Sequence, residues 1–499
     1  MDTTLRDGEQ TTGVSYSETE KLNIARMLLD EVKVDRVEVA SARVSDGEYK
    51  GVESIIRWAK KTGYIDKVEV LGFVDGTISI DWIHKAGGNV INLLCKGSKK
   101  HVIEQLRKSA EQHIADIKES IKYATKLGII VNIYLEDWSN GMRNSKDYVF
   151  YFVDSLKNEK IKRFMLPDTL GILNPDETYI FINEMIQRYP ELHFDFHAHN
   201  DYDLATANVF MAVKAGIKGI HTTVNGLGER AGNVPLASVT AILKDQLKLS
   251  LDINEYKLNK ISILVESFSG IRIPGNKPIV GEYVFTQCAG IHADGDNKNK
   301  LYYNDLLPER FGRQRLYALG KMSGKSNIQK NLEELGIDLT IDEMKKVTER
   351  IIELGDRKEF ISKEDLPYII SDVLSSTPIE NKIRVENFSL SVANGLKSSA
   401  TLKLIIGDNE YEETASGDGQ YDAFMKALYK IYKGLGKELP LLVDYLVMIP
   451  PGGRTDALVE TSITWEYGEK EIKTRGLDPD QIVASIKATM KMLNIIEQK

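Results

Sequence analysis

The feature that most constrains this chain is a regular alternation over its first half. Short apolar runs fall at 2–6, 36–42, 68–74, 90–96, 128–136, 163–169, 193–199 and 219–225. Amphipathic stretches lie between and after them, among them 17–32, 101–127, 144–157, 175–188, 203–215 and 235–249. Strands separated by helices must pair in parallel, because each return to the sheet runs through a crossover. Eight such units in roughly 250 residues have the size of a closed (β/α)8 TIM barrel. The rival, an open doubly wound sheet, usually carries a glycine-rich phosphate turn after its first strand. Here the first strand runs into Arg6-Asp7-Gly8-Glu9-Gln10, which is not such a turn. The opening Met1-Asp2-Thr3-Thr4-Leu5-Arg6 reads as a strand end entering a loop, so the front of that strand is expected to be missing.

At 499 residues the chain exceeds one core and predicts several domains. The barrel is assigned to 1–255. Residues 256–375 form linker subdomains that complete the site, loop-rich over 278–326 and helical over 341–355 and 364–374. A polar, Pro-containing linker at 375–382 precedes a last domain at 383–499. There Gln420, Ala423, Lys426 and Ala427 match Gln481, Ala484, Lys487 and Ala488, which suggests a strand–strand–strand–helix unit repeated in an α+β domain. The fold class is therefore α/β: a TIM barrel, a mostly helical linker region and a C-terminal α+β domain.

Acids outnumber bases 73 to 65 and no long Lys/Arg cluster stands out, which argues against a nucleic-acid partner. No apolar run approaches the ~20 residues of a membrane helix, and no signal peptide opens the chain. Two unrelated cysteines, Cys95 and Cys288, suggest no disulfide framework. The expected compartment is the cytoplasm.

Chemistry concentrates at strand ends. Side chains two apart on a strand share a face, so Asp195, His197 and His199 point one way and Phe194 and Phe196 the other. Barrel interiors are normally filled by branched apolar side chains. Two imidazoles at a strand's C-terminal end therefore suit a divalent metal (Zn, Mn or Mg), with a hydrogen-bonded core pair as the alternative. Asp7, at the end of the first strand and next to the eighth in a closed barrel, is the natural third ligand. Arg6 beside it is placed to stabilise an alkoxide, with a surface ion pair as its alternative, and Gln10 to add a hydrogen bond. Glu136 ends the fifth strand as a candidate base or proton positioner, and Thr169 ends the sixth as a candidate carboxylate holder. Each has a structural hydrogen-bonding role as its alternative. The turn Asn225–Asn233 is glycine-rich and follows the last strand, where barrels often bind phosphate through backbone N–H groups. It supports a phosphate-bearing ligand such as a coenzyme A ester, and Asn233 is a further metal contact. His292, between small residues and Asp294, is an acid/base candidate outside the barrel, with a structural role as the reading its own residues favour.

These segments resemble the DRE-type metallolyase barrels, and within them the acetyl-CoA-condensing citramalate, 2-isopropylmalate and homocitrate synthases. Leu5-Arg6-Asp7-Gly8-Glu9-Gln10 with Lys21 is similar to the family's first signature, and Phe194 to Asp201 to the core of its second. Asp203 departs from it where the family has Gly. Asn225 to Asn233 looks like the glycine-rich turn, and Gly290 to Gly295 like the segment that supplies a catalytic His to the partner subunit. The resemblance implies a Claisen-type condensation of acetyl-CoA, as co-substrate, with a 2-oxo acid. It implies metal at Asp7, His197 and His199, alkoxide stabilisation by Arg6, oxo-acid binding by Thr169, and proton transfer by Glu136 with His292. Leu301, Tyr302 and Asn304 are implied to meet acetyl-CoA. Residues 383–499 are implied to be a regulatory domain that binds a feedback amino acid, isoleucine or leucine, at a homodimer interface. Leu71, Leu94 and Tyr134 end neighbouring strands, and their bulk favours pyruvate, hence citramalate, over 2-oxoisovalerate and 2-isopropylmalate. None offers a charge for the second carboxylate of 2-oxoglutarate. A lyase or aldolase would share the metal site without needing 383–499, and a non-catalytic sensor would keep that domain and lose the ligands.

Overall fold

The computed structural model describes residues 1–356, 361, 363–374, 383–448, 459–468 and 470–497. The linker expected at 375–382 lies outside the described residues. The chain divides into two compact units: Met1–Phe285 with Tyr303–Arg315, and Thr286–Tyr302 with Leu316–Lys499.

In the first unit seven parallel strands follow one another in sequence order. They are β1 (Val37–Ser41), β2 (Val68–Phe73), β3 (Val90–Lys96), β4 (Ile130–Glu136), β5 (Ile161–Asp168), β6 (Phe194–Ala198) and β7 (Gly219–His221). One residue closes the ring: Asp2 bridges Val37 of β1 on one side and Thr222, just past β7, on the other. Its amide donates to Arg36 O and its carbonyl accepts from Glu38 N, both at 2.8 Å. The first strand expected at 2–6 is thus corrected to a single bridging residue. The amides of Arg6, Asp7 and Gly8 all donate to Thr3 O, so the chain turns as soon as the ring is closed. The last strand also ends early, at His221, because Val224–Gly226 coils into a 3-10 turn with Asn225 at φ 59°.

Caps decide where the crossover helices start. Ser17 and Glu20 form a reciprocal capping box for Glu18–Arg26, and Asn174 with Glu177 does the same for Pro175–Arg188. The single helix expected over 101–127 divides into a short wide-turned segment, His101–Gln105, and the helix Ala110–Lys126. Arg107 takes φ 56° between them, and Ser109 and Gln112 cap the second piece.

The strands' outward faces carry Val37, Val39, Val70, Ile91, Leu93, Ile133, Leu135, Phe164 and Phe196, which pack under the helices. The inward faces are polar to an unusual degree for a barrel. Arg36 donates to Glu69 at 3.0 Å and to Asp195 at 2.6 Å. Arg163 joins Glu69 at 3.2 Å, and the Asn132 amide passes a hydrogen bond to Asn92, which passes one to Glu38. Buried charges roughly break even when fully paired and are costly when one partner is lost.

The same logic anchors the loop after Asp2. Lys21 is 1% exposed and bridges Glu9 and Glu48, each at 2.5 Å. It ties the Arg6–Gln10 segment to the helix that follows.

In the second unit, helices Lys325–Leu335, Ile341–Asp356 and Leu366–Leu374 share a core that includes Ile328, Leu332, Val347, Ile351 and Leu366. Beyond 383 a three-strand antiparallel sheet (Ile383–Ser391, Ser398–Ile406, Asn409–Gly417) is followed by helix Gln420–Gly434. A second sheet (Leu441–Met448, Val459–Tyr467, Lys470–Asp478) is followed by helix Gln481–Glu497. The matched residues occupy equivalent places: Gln420 and Gln481 open the helices, and the four alanines are fully buried. Ala423 and Ala484 sit so close to the last strand that a Cβ on Gly417 or Gly476 would lie 2.4 Å or 1.9 Å from helix backbone. No helix among the described residues is long and apolar enough to cross a membrane.

Lys21→Met removes a buried cation and leaves two carboxylates facing each other. The expected cost is about 3–5 kcal/mol in denaturant-induced unfolding of the full chain, the range for breaking a buried pair. A loss below 1 kcal/mol would show that the clamp does not hold this loop.

Candidate metal centre

The C-terminal ends of the strands supply the site. β6 carries His197 and leads straight into His199, while the turn after Asp2 delivers Asp7 across the closed seam. One ligand atom from each of these three buried residues lies within 4.8 Å of the others. Asp7 Oδ2 stands 3.4 Å from His197 Nε2 and 3.9 Å from His199 Nε2, and the two Nε2 atoms are 3.3 Å apart.

The electrostatics suit a cation. Burial works to raise the Asp7 carboxyl, but Arg6 and the two histidines overcome it and hold it well below the usual range. Burial also lowers His199 to about 4, against the pull of Asp7, so its imidazole is neutral near pH 7. A carboxylate and a bare imidazole nitrogen converging on one point is the donor set of a divalent metal with open positions. The Nδ1 atoms of both histidines are buried with no hydrogen-bond partner, so nothing on that side sets their tautomers.

Asn233 packs against Asp7 from behind. Its amide donates to Asp7 Oδ1 at 2.6 Å and to Leu227 O at 3.2 Å, and its Oδ1 is buried without a partner. The glycine-rich turn makes this approach possible. A Cβ on Gly228, at φ 152°, would fall 2.2 Å from Asn233 Nδ2 and 2.9 Å from Asp7 Oδ1. The phosphate cradle expected of this turn is corrected in part. The amides of Gly226, Leu227, Gly232 and Asn233 donate within the turn and its flanks, and that of Gly228 donates to Thr11 Oγ1. The turn scaffolds the ligands.

Arg6 is held on every nitrogen. Nε donates to Glu38 at 2.6 Å, one Nη to Asp7 at 2.6 Å, and the other to the Tyr134 hydroxyl at 3.3 Å. Burial opposes its charge, and Glu38 and Asp7 more than restore it, raising its pKa. Glu38 was not foreseen as a site residue, though Val37-Glu38-Val39 shows one acid alternating between apolar neighbours.

A cavity of about 170 Å3 opens above these groups. Arg6, Asp7, Gln10, Leu71, Leu94, Tyr134, Glu136, Thr169, His197 and His199 all line it, with Ser41, Phe73, Pro167 and, from the glycine-rich turn, Glu229 as further walls. Glu136 is ion-paired with Lys96, its direct neighbour in the β3–β4 register. Thr169 Oγ1 accepts from Asp137 N at 2.9 Å. Beside this cavity a second one, of about 340 Å3, shares Phe73, Leu94 and Glu136 with it.

The cavity lining does not include the remaining candidates. His292, Leu301 and Tyr302 belong to the second unit, where the His292 and Tyr302 rings meet at 4.3 Å, tilted by 39°, and Leu301 is exposed. Asn304 belongs to the first unit and accepts from Leu306 N at 3.1 Å. Asp203, where the family has Gly, takes φ 57° and accepts from Asn200 at 3.1 Å. Asp is among the few side chains that tolerate that left-handed geometry.

Comparison with known proteins agrees with this architecture. The HMGL-like family matches residues 1–265, the homocitrate synthase post-HMGL domain-like family 279–359, and the LeuA allosteric (dimerisation) domain 360–497. The (R)-citramalate synthase CimA of Methanocaldococcus jannaschii is 34% identical over 499 residues, covering 99% of each chain. The 2-isopropylmalate synthase of the same organism is 33% identical over 507 residues, covering 100% of this chain and 94% of that one. A barrel that gathers Asp7, His197 and His199 at its mouth, joined to a LeuA-type domain and related to these synthases over its whole length, belongs to the HMGL-like family.

Proposed function

We propose that this chain condenses acetyl-CoA with pyruvate to give citramalate. A base takes a proton from the acetyl methyl group, the resulting carbanion bonds to the ketone carbon of pyruvate, and water cleaves the thioester to release the coenzyme A thiol. One observation carries the choice of acceptor. The cavity that holds Asp7, His197, His199 and Arg6 is only about 170 Å3, and Leu71, Leu94 and Tyr134 form one wall. That is well under the 300–1,000 Å3 of sites for larger ligands. The bulk of that wall favours a methyl group over an isopropyl group beside it.

Asp7, His197 and His199 would hold a divalent metal. When bound it supplies Lewis acidity toward the ketone. Arg6, immobile and cationic, faces the same cavity and would stabilise negative charge on the former ketone oxygen. Thr169 and Gln10 would orient the oxo acid. Glu136 reaches both cavities and would serve proton transfer with His292, and Lys96 holds its carboxylate in place. Leu301, Tyr302 and Asn304 would meet acetyl-CoA. The C-terminal domain would bind isoleucine as feedback inhibitor and join two copies of the chain.

His197→Ala is expected to lose bound metal and activity while remaining folded, and undiminished metal content would exclude this centre. Gly228→Ala should act at a distance of one residue layer: its Cβ must displace Asn233, so metal content falls with no ligand removed. A Gly228→Ala protein with full metal loading would contradict the scaffold role of the turn.

Acceptor choice is read from the ratio of catalytic efficiencies with pyruvate and 2-oxoisovalerate, following free thiol. Overpacking of an apolar pocket costs ~1–3 kcal/mol, about one to two orders of magnitude in that ratio. Pyruvate should win in the parent, and Leu94→Ala should shift the ratio toward 2-oxoisovalerate. A parent that already prefers 2-oxoisovalerate would transfer the reading to 2-isopropylmalate and leave the metal centre untouched.

A further inference from the structure

Below the cavity, Tyr134 joins the site through His221 to the buried acid Asp195. Its hydroxyl lies 3.0 Å from His221 Nδ1, and His221 Nε2 lies 3.1 Å from Asp195 Oδ2. All three side chains are 2% exposed or less. We propose that His221, acting through Tyr134, is a positioning residue that fixes the Arg6 guanidinium for the condensation. The inference rests on the reading that Arg6 serves the acceptor's ketone oxygen.

Hydrogen-bond polarity carries the argument. Asp195 is an acceptor at every contact it makes here, taking Arg36 at 2.6 Å and His193 Nε2 at 2.9 Å as well as His221. The proton between Asp195 and His221 therefore sits on Nε2. With its one ring proton on Nε2, the neutral imidazole presents a bare lone pair at Nδ1, toward the Tyr134 hydroxyl. A buried lone pair at 3.0 Å from a hydroxyl must receive that hydroxyl's proton or go unsatisfied. The competing acceptor is Glu38 Oε2, at 3.4 Å from the hydroxyl. Glu38 already accepts from Arg6 Nε at 2.6 Å, from Asn92 at 2.7 Å and from Thr3 Oγ1 at 2.8 Å. The Tyr134 proton thus goes to His221, and the phenol's lone pairs turn toward Arg6. With the opposite tautomer, Nδ1–H would occupy a lone pair of the phenol, and the hydroxyl proton would swing toward Glu38 and Arg6. The guanidinium's contact with the phenol would then weaken, leaving Glu38, Asp7 and the longer contact to Gln10 at 3.5 Å to hold it.

The test uses the full-length holoenzyme. His221→Gln keeps a donor for Asp195 and removes the acceptor for Tyr134. Tyr134→Phe removes the hydroxyl itself. Each is expected to lower kcat about tenfold with KM for the 2-oxo acid nearly unchanged and metal content intact. Because the two act in series, the double variant should also stand at about tenfold, whereas independent roles would multiply to about a hundredfold. His221→Asn, whose amide oxygen reaches the place of Nδ1, should recover part of the rate. Multiplying losses, or a rise in KM at constant kcat, would overturn the proposal. Nitrogen-15 NMR of the unsubstituted protein, with labelled histidine and arginine, gives a readout that needs neither turnover nor a folded variant. It should show His221 protonated at Nε2 alone and slowly exchanging Arg6 Nη protons, and a proton on Nδ1 would end the idea. A parent without condensing activity would remove the proposed function instead, and the tautomer measurement would still decide the placement of Arg6.

Discussion

A guanidinium taken out of water must have every one of its donors answered, and the Arg6 side chain imposes that demand at the mouth of the barrel. Glu38, Asp7 and Tyr134 answer it from three different directions. Each of the three then needs partners of its own. Glu38 draws in Thr3 and Asn92, Tyr134 draws in His221, and Asp7 draws in Asn233. Farther down, Arg36 and Arg163 make the same demand on Glu69, Asp195 and Asn132. The interior is therefore one connected set of charges, and no single member can be changed without stranding its neighbour. Rigidity at the metal ligands follows from this. Asp7 is fixed on one oxygen by Arg6 and on the other by Asn233 before any cation arrives.

Much of this was legible in the sequence, for reasons that can be named. Strand β6 reads Phe194-Asp195-Phe196-His197-Ala198-His199, and a period of two places both histidines on one face whatever the rest of the fold does. The crossover pattern fixed parallel pairing, and closure brought Asp7 beside them. The first strand was overdrawn because Thr3-Thr4-Leu5 has β-branched and apolar residues that suit a strand, while the turn that replaces it is made by backbone bonds to Thr3 O. Asp203 was visible as a misfit, and its meaning, a left-handed backbone in a residue that tolerates one, needed φ. Partners across strands were the part that stayed hidden. Lys96 and Glu136 are 40 residues apart and become neighbours only in the β3–β4 register, and His221 meets Tyr134 across the barrel. A single polar residue in an apolar strand is as consistent with a solvent-facing side as with a barrel lumen. Only closure, with helices covering the outside, makes all of them interior.

The pleat that organises the charges also separates them from the apolar wall of the cavity. Along β2, Glu69 is followed two residues later by Leu71. In β3, Asn92 is followed by Leu94, and in β4, Asn132 is followed by Tyr134. Each strand so contributes a polar side chain to the lower interior and a bulky one to the level of the cavity. Leu71, Leu94, Tyr134 and Met165 indeed cluster as an apolar layer over the charged set. Leu71 and Leu94 make no hydrogen bonds through their side chains, so changing their size alters the space beside the metal ligands without breaking a pair in the network beneath. Tyr134 is the exception, since its ring belongs to the wall and its hydroxyl to the network. Cavity shape and charge placement are therefore separable at two of the three wall positions and coupled at the third, so the space above Asp7, His197 and His199 can change at Leu71 or Leu94 without disturbing the network that holds Arg6.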